Sequence, residues 1–207
     1  MSVATGKTDK ADVSRTRILD AAAGLFSADG YASVSLRAIA AAAGMKAGSV
    51  YYHFDSKQAI VIEILDLGIA MVHGEVRKTI EGLPAGVSAN ETIRAGILAH
   101  LRAMFEFSDY TTANVRIYGQ VPEPVRSANL NARHSYEALW DGILQGVADQ
   151  NGVRESVDLK AFRLMLIGAL NATIEWFDAE RSNLDDLSDS YAEIMLHGLL
   201  IEGEFDR

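Results

Sequence analysis

The sequence predicts an all-α protein in two parts: an N-terminal three-helix domain with a helix-turn-helix, and a larger C-terminal helical domain. Three observations predict the helical layout. Only three prolines occur, at 84, 122 and 124, and apolar residues recur at spacings of three and four, the helical period. The stretch RAIAAAAGMKAGSVYYHF, residues 37 to 54, breaks an alanine-rich helix at a glycine and resumes with an aromatic and basic cluster. Charge also divides the chain. Residues 1–57 hold seven basic and five acidic side chains, and the remainder holds twelve and twenty-three.

The elements follow in order. Residues 1–13 are polar and read as a disordered tail. A first helix runs from Ser14, a plausible N-cap, to Asp29, with Ile18, Ala22, Leu25 and Phe26 on one apolar stripe and Gly30 ending it. A second covers 36–43, capped by Ser35 and stopped by Gly44. A third covers 47–53. A fourth starts at Lys57, capped by Asp55 or Ser56, and reaches Glu81 before a loop of Gly82, Pro84 and Gly86. Five more helices are expected over 88–107, 111–120, 124–150, 157–179 and 185–202. The prolines flanking Glu123 break the chain, and Asn151-Gly152 marks a turn. The domains are then 14–57 and 58–207.

Composition narrows the function. Hydrophobic residues make up 49 % and charged residues 23 %, which is globular rather than disordered. The chain has no cysteine, so it offers no thiol nucleophile and no cysteine metal site, and it suits a cytoplasmic setting. No run of about 18 apolar residues suggests a membrane span. The five histidines show no ligand-spaced pair, so no metal is expected. No nucleophile elbow, phosphate loop or dinucleotide fingerprint occurs, so no catalytic residue and no cofactor are assigned. The net charge of −9 argues against nucleic-acid binding by the whole chain, but local sign governs phosphate binding, and the N-terminal part is basic.

Two short helices joined by a glycine turn make a helix-turn-helix, whose second helix lies in the major groove. Ala40 and Ala43 are small enough for the helices to cross closely. Gly44 tolerates the positive φ of a sharp turn. Ile39 and Val50 supply the contact between helices, and Phe54 packs back into the core. The third helix then presents Lys46, Ala47, Ser49, Tyr51, Tyr52 and His53 to DNA. Lys46 and Ser49 suit phosphate or base edges. The tyrosines offer hydroxyls to phosphate and rings to thymine methyls or sugars. Ser35 and Lys57 stand at helix starts, where backbone N–H groups favour phosphate, and Arg37 is placed for the backbone or a flanking base.

The order SLRAIAAAAGMKAGSVYYHFDSKQAI, residues 35 to 60, resembles the signature of TetR-family transcriptional regulators. The matching positions are Ser35, Arg37, Ile39, Ala40, Ala43, Gly44, Gly48, Ser49, Tyr51, His53, Phe54, Ser56 and Lys57. AAAGLFSADGY, residues 21 to 31, resembles the end of that family's first helix. Two positions depart: the family often has Ser at Lys46, so the third helix lacks its hydroxyl cap, and often a polar residue at Ala47. The resemblance implies an all-helical homodimer on a palindromic double-stranded operator. It also implies a second domain that binds a small molecule, shifts the spacing of the DNA-reading heads and releases the operator. Repression is inherited from the family's habit.

The C-terminal part is read from its pattern. FRLMLIGALNATIEWF, 162 to 177, and YAEIMLHGLL, 191 to 200, are apolar nearly all round. Such helices need burial on two sides, and a partner's copies supply it in an isologous four-helix interface. Gly168, Ala169, Ala172 and Gly198 allow close approach. For the effector cavity, aromatics mixed with isolated polar groups point to Arg102, Phe105, Tyr118, Trp140, Asn171 and Trp176, with Arg102, Arg116 or His134 to neutralise an acidic group. The effector is expected to be apolar or amphipathic. GALNATIEWF resembles members that respond to fatty or steroid-derived acyl-CoA thioesters, and bulky exogenous drugs are the rival class. The alternatives are an activator or DNA-binding protein without an inducer, which a sealed or absent cavity would favour, and an all-helical enzyme, which would need paired titratable groups in a cleft.

Overall fold

A computed structural model describes residues 5–107, 109–151, 153–154 and 156–199, with the backbone alone for 5–10, 107 and 151. Ten α-helices follow one another and no strand occurs among the described residues. They are α1 (Thr5–Ser33), α2 (Leu36–Ala42), α3 (Ala47–His53), α4 (Lys57–Glu81), α5 (Ala89–Arg102), α6 (Asp109–Tyr118), α7 (Glu123–Ala128), α8 (Leu130–Asn151), α9 (Leu159–Ala172) and α10 (Leu184–Leu199). A π-helical turn, Ala103–Phe107, continues α5, and a 3₁₀ turn, Thr173–Glu175, continues α9.

Several boundaries differ from expectation for identifiable reasons. α1 begins at Thr5, so the expected tail is helical from that residue; residues 1–4 lie outside the described residues. Ser14 therefore sits inside a helix instead of capping one. The stretch has no proline, and Asp12 interacts electrostatically with Arg15 one turn on, so a helix already nucleated by its buried stripe extends backward easily. The break expected at Gly30 is present as a kink inside α1, with φ 76° and ψ 174°. The single helix expected over 124–150 is two, because the fully buried Asn129 lies between them with its amide on Asp66 Oδ1 at 2.6 Å. Residues 200–202 of the expected last helix and Gly152 of the expected turn lie outside the described residues.

The chain forms two compact units. The first joins residues 1–68 to 109–130, and the second joins 69–108 to 131–207. The expected boundary after residue 57 is thus replaced by one near Gly68, with a returning segment. The reason is apolar: Tyr110, Ala113, Ile117, Val121 and Val125 are buried in one cluster with Ile18, Phe26, Ile39, Val50, Ile60 and Leu65. The second unit has its own core, in which Ile93, Ile97, Leu101, Trp140, Leu144, Leu166, Leu170 and Leu196 are buried.

Candidate nucleic-acid interface

The helix-turn-helix is built from the turn outward. α2 starts with Ser35 Oγ accepting from Ala38 N at 3.2 Å. It ends in paired backbone bonds: Met45 N donates to Ala40 O at 2.8 Å and Gly44 N to Ala41 O at 3.0 Å. This is a Schellman closure, which needs a left-handed residue just past the helix. Gly44 supplies it with φ 65°. Arg17, on α1, braces the same turn by donating from Nη2 to Ala43 O at 2.6 Å.

α3 is amphipathic within two turns. Val50 is fully buried and the following Phe54 is 3 % exposed, whereas Tyr51 is 57 % and Tyr52 79 % exposed. Such exposure is unusual for two adjacent aromatics and marks a surface meant to be covered. Lys46 occupies the N-cap without a side-chain bond, as its chemistry requires. Its side chain and that of Arg37 are exposed, while Ser49 is partly exposed. His53 stands edge-on to Tyr52, with ring centroids 5.1 Å apart. Ala47 packs partly into the first core instead of standing clear.

Lys57 departs most from its expected role. Its Nζ donates to Tyr31 O and lies 4.1 Å from the Tyr31 ring centroid and 5.7 Å from that of Phe26. Burial lowers its pKa. The ammonium ties α4 to the end of α1, a bracing position. The neighbouring Ser56 caps α4 by accepting from Ala59 N at 3.1 Å. Arg15, which the sequence did not single out, is paired with Glu63 and stacks over Phe54 at 4.6 Å.

Of the six candidate ligand residues, Arg102, Phe105, Trp140, Asn171 and Trp176 lie in the second unit. Tyr118 belongs to the first unit and packs against its core. Arg116, offered as a neutralising cation, donates to Ser27 O in that unit, and His134 is exposed. Trp140 is fully buried and fills the core, donating from Nε1 to Tyr136 Oη at 2.7 Å. Trp176 is 55 % exposed. Phe105 packs on Phe177 at 5.0 Å between centroids. Arg102 pairs with Asp185 at 3.1 Å and lines an open groove of about 350 Å³ together with Arg94, Leu83, Pro84, Val87 and Leu98. Asn171 hydrogen-bonds the ring of His100. His100 and Tyr136, which the sequence did not single out, are buried together in this core with Nδ1 and Oη 2.6 Å apart.

These helices and this turn match known proteins. Residues 18–64 fit the profile described as "Bacterial regulatory proteins, tetR family", and residues 86–199 fit that of the "Tetracyclin repressor-like, C-terminal domain". The chain belongs to the TetR family. Among its TetR-family relatives, the transcriptional repressor KstR2 of Rhodococcus jostii is 31 % identical over 89 % of this chain and 90 % of that protein. The fatty acid metabolism regulator of Bacillus subtilis is 24 % identical over 88 % and 94 %. The solved structure of FadR from Bacillus subtilis in complex with stearoyl-CoA superposes with a TM-score of 0.74 at 22 % identity, covering 88 % of this chain and 98 % of that one. As a TetR-family member the chain is a DNA-binding transcriptional repressor that responds to a small ligand. No helix among its described residues is long and apolar enough to cross a membrane.

Proposed function

We propose that this cytoplasmic repressor reads its operator with α3. Lys46, Ser49, Tyr51, Tyr52 and His53 face the major groove, and Ser35 and Arg37 hold the backbone from α2. The observation that carries this reading is the one-sided burial of α3: Val50 goes inward while both tyrosines stay outward. Lys57 contributes by fixing where α4 begins. The dimer forms through α9 and α10, where Leu164, Met165 and Ile194 are all more than half exposed and nothing lies within 4 Å of a Cβ added at Gly168 or Gly198, and Trp176, just past the 3₁₀ turn that continues α9, is equally bare. An isologous four-helix contact covers such a face.

The effector is an acyl-CoA thioester. Support comes from the full-length relatives, one of them a fatty acid regulator, and from the stearoyl-CoA held by the FadR neighbour of shared fold. The test uses the full chain and DNA from beside its own gene in an anisotropy titration at fixed salt. Lys46→Ala with Tyr51→Ala is expected to weaken binding roughly a hundredfold, by loss of a phosphate contact and an aromatic one, with the dimer unchanged by sedimentation. Unaltered affinity would remove α3 from the groove. Long-chain acyl-CoA is expected to release the wild-type complex, and free CoA is not.

A further inference from the structure

α1 is interrupted at Gly30, whose φ 76° and ψ 174° lie outside the helical range. In an unbroken helix the N–H of Tyr31 would bond to the C=O of Ser27, four residues back. At this kink each group meets a side chain from the end of α6. Tyr31 N donates to Gln120 Oε1 at 2.9 Å, and Arg116 Nη1 donates to Ser27 O. Arg116 lies in the last turn of α6 and Gln120 just past its end. Gln120 Nε2 also donates to Arg116 O at 2.9 Å. The amide thus uses its donor and its acceptor on different partners, which fixes its orientation. All four residues belong to the first unit.

The backbone beyond the kink leads straight to the helix-turn-helix. Tyr31 O accepts from Lys57 Nζ at the start of α4, and the same ammonium lies over the Tyr31 ring. Tyr31 is therefore held from two sides, its N–H by Gln120 and its C=O by Lys57. After it, α1 ends at Ser33, and Val34 and the capping Ser35 are all that separate it from α2. Gly30 suits this arrangement by its lack of a side chain as well as by its φ. A Cβ there would lie 3.0 Å from Gln120 Oε1, crowding the amide off Tyr31 N. The bond itself is exposed, so water can replace it at small cost to the fold. What water cannot replace is the direction the bond imposes.

We infer that Gln120, with Arg116 beside it, is a positioning residue for operator recognition: the two side chains splint the break in α1 and so set the direction in which α2 and α3 leave it. Without the splint, α2 and α3 tilt together, their own turn intact. Base contacts require side chains placed within about 0.5 Å, whereas attraction to phosphates is largely insensitive to such a tilt. The inference rests on the reading of α3 in the groove and adds what aims it.

The test uses the full chain and an operator selected by the wild-type protein from a random-sequence duplex pool. Affinity for that duplex is compared with affinity for a scrambled one of equal length at the same salt. Gln120→Leu is expected to lower operator affinity about tenfold, one hydrogen bond lost in each head of a dimer, and to leave the scrambled duplex within twofold. Gln120→Glu keeps an acceptor for Tyr31 N and is expected to hold the ratio of the two affinities within twofold of wild type, since its added charge acts on both duplexes alike. Amide exchange in the peptide spanning 27–34, measured without DNA, is expected to quicken in Gln120→Leu and not in Gln120→Glu. An undiminished ratio in Gln120→Leu, an equal loss on both duplexes, or the same loss of ratio in both variants overturns this inference and leaves α3 in the groove. A pool that yields no preferred sequence overturns the groove reading and this inference with it.

Discussion

The two units use long-range polar side-chain bonds differently. In the first, several end on backbone carbonyls, beside side-chain pairs such as Asn129 with Asp66. Arg17 holds Ala43 O, Lys57 holds Tyr31 O, and Asn114 Nδ2 donates to Leu65 O at 2.5 Å. Gln120 joins them by accepting from Tyr31 N at 2.9 Å. In the second unit, the buried His100 and Arg163 bond to other side chains, while Thr173 and Ser188 bond to carbonyls three residues back along the chain. His100, Tyr136 and Trp140 form one chain. Arg163 forms another, pairing with Glu137 at 3.0 Å and Asp141 at 2.5 Å while its buried Nε has no partner. A side chain bound to a helix end fixes where that end lies. A side chain bound to another side chain can exchange partners by a rotamer change while every helix stays intact. The unit that carries the DNA-reading helix is therefore pinned, and the unit that answers a ligand is left adjustable.

Breaking the pinned unit should have the larger effect. Gly44→Val places a β-branched residue at φ 65°, and its Cβ would lie 3.2 Å from Arg17 Nη2. The left-handed conformation and the crowding together cost about 3 kcal/mol, so denaturant unfolding should shift to markedly lower concentration and operator binding should fail. A variant of wild-type stability would show that the turn has another conformation available. Arg17→Ala should have a smaller effect, about 1–2 kcal/mol for the lost bond to Ala43 O. It should weaken operator binding more than it weakens the fold, because the turn it braces aims α3. Equal operator affinity in the two proteins would make Arg17 a surface residue only.

The same contrast explains what the sequence made legible. The helix-turn-helix is governed by local rules: an N-capping serine, small residues at a crossing, a glycine at the left-handed position. Each occupies a fixed offset, and Ser35, Gly44, Val50 and Phe54 stand where those rules place them. The bracing bond of Lys57 was not legible because its partner, Tyr31, is 26 residues away and nothing local predicts that a lysine will fold back over two rings. The same holds for the boundary near Gly68: α6 returns to the first core through contacts some 90 residues apart, such as Tyr110 on Asp20. The surroundings of the expected effector residues were least legible. An aromatic on an apolar stripe is as well suited to filling a core, as Trp140 does, as to lining a cavity. Whether Trp176 faces inward or outward depends on the 3₁₀ turn before it.

The smallest expected effect bears on the adjustable unit and is read through pH. His100 has a folded pKa of about 4 against an ordinary 6.5, chiefly from burial. Above pH 6.5 the ring is neutral in both folded and unfolded chains and stability does not depend on it. Between 6.5 and about 4 the unfolded chain takes up a proton that the folded core refuses, so stability falls as pH falls, by at most about 1.4 kcal/mol per pH unit. Carboxylates held below their ordinary pKa, such as Glu91 bonded to Ser88, tilt the wild-type curve the same way, so the useful quantity is a difference. The groups around the ring, Tyr136, Trp140, Met104 and Asn171, do not titrate in this window. His73, edge-on to Tyr136 and lowered by burial and by Arg77, adds a share in the same direction and remains in both proteins compared. Denaturation of wild type and His100→Phe at pH 7 and pH 5 should therefore show the variant gaining on the wild type by more than 1 kcal/mol at the lower pH. A constant difference would mean that His100 takes its proton in place and that this core admits a charge.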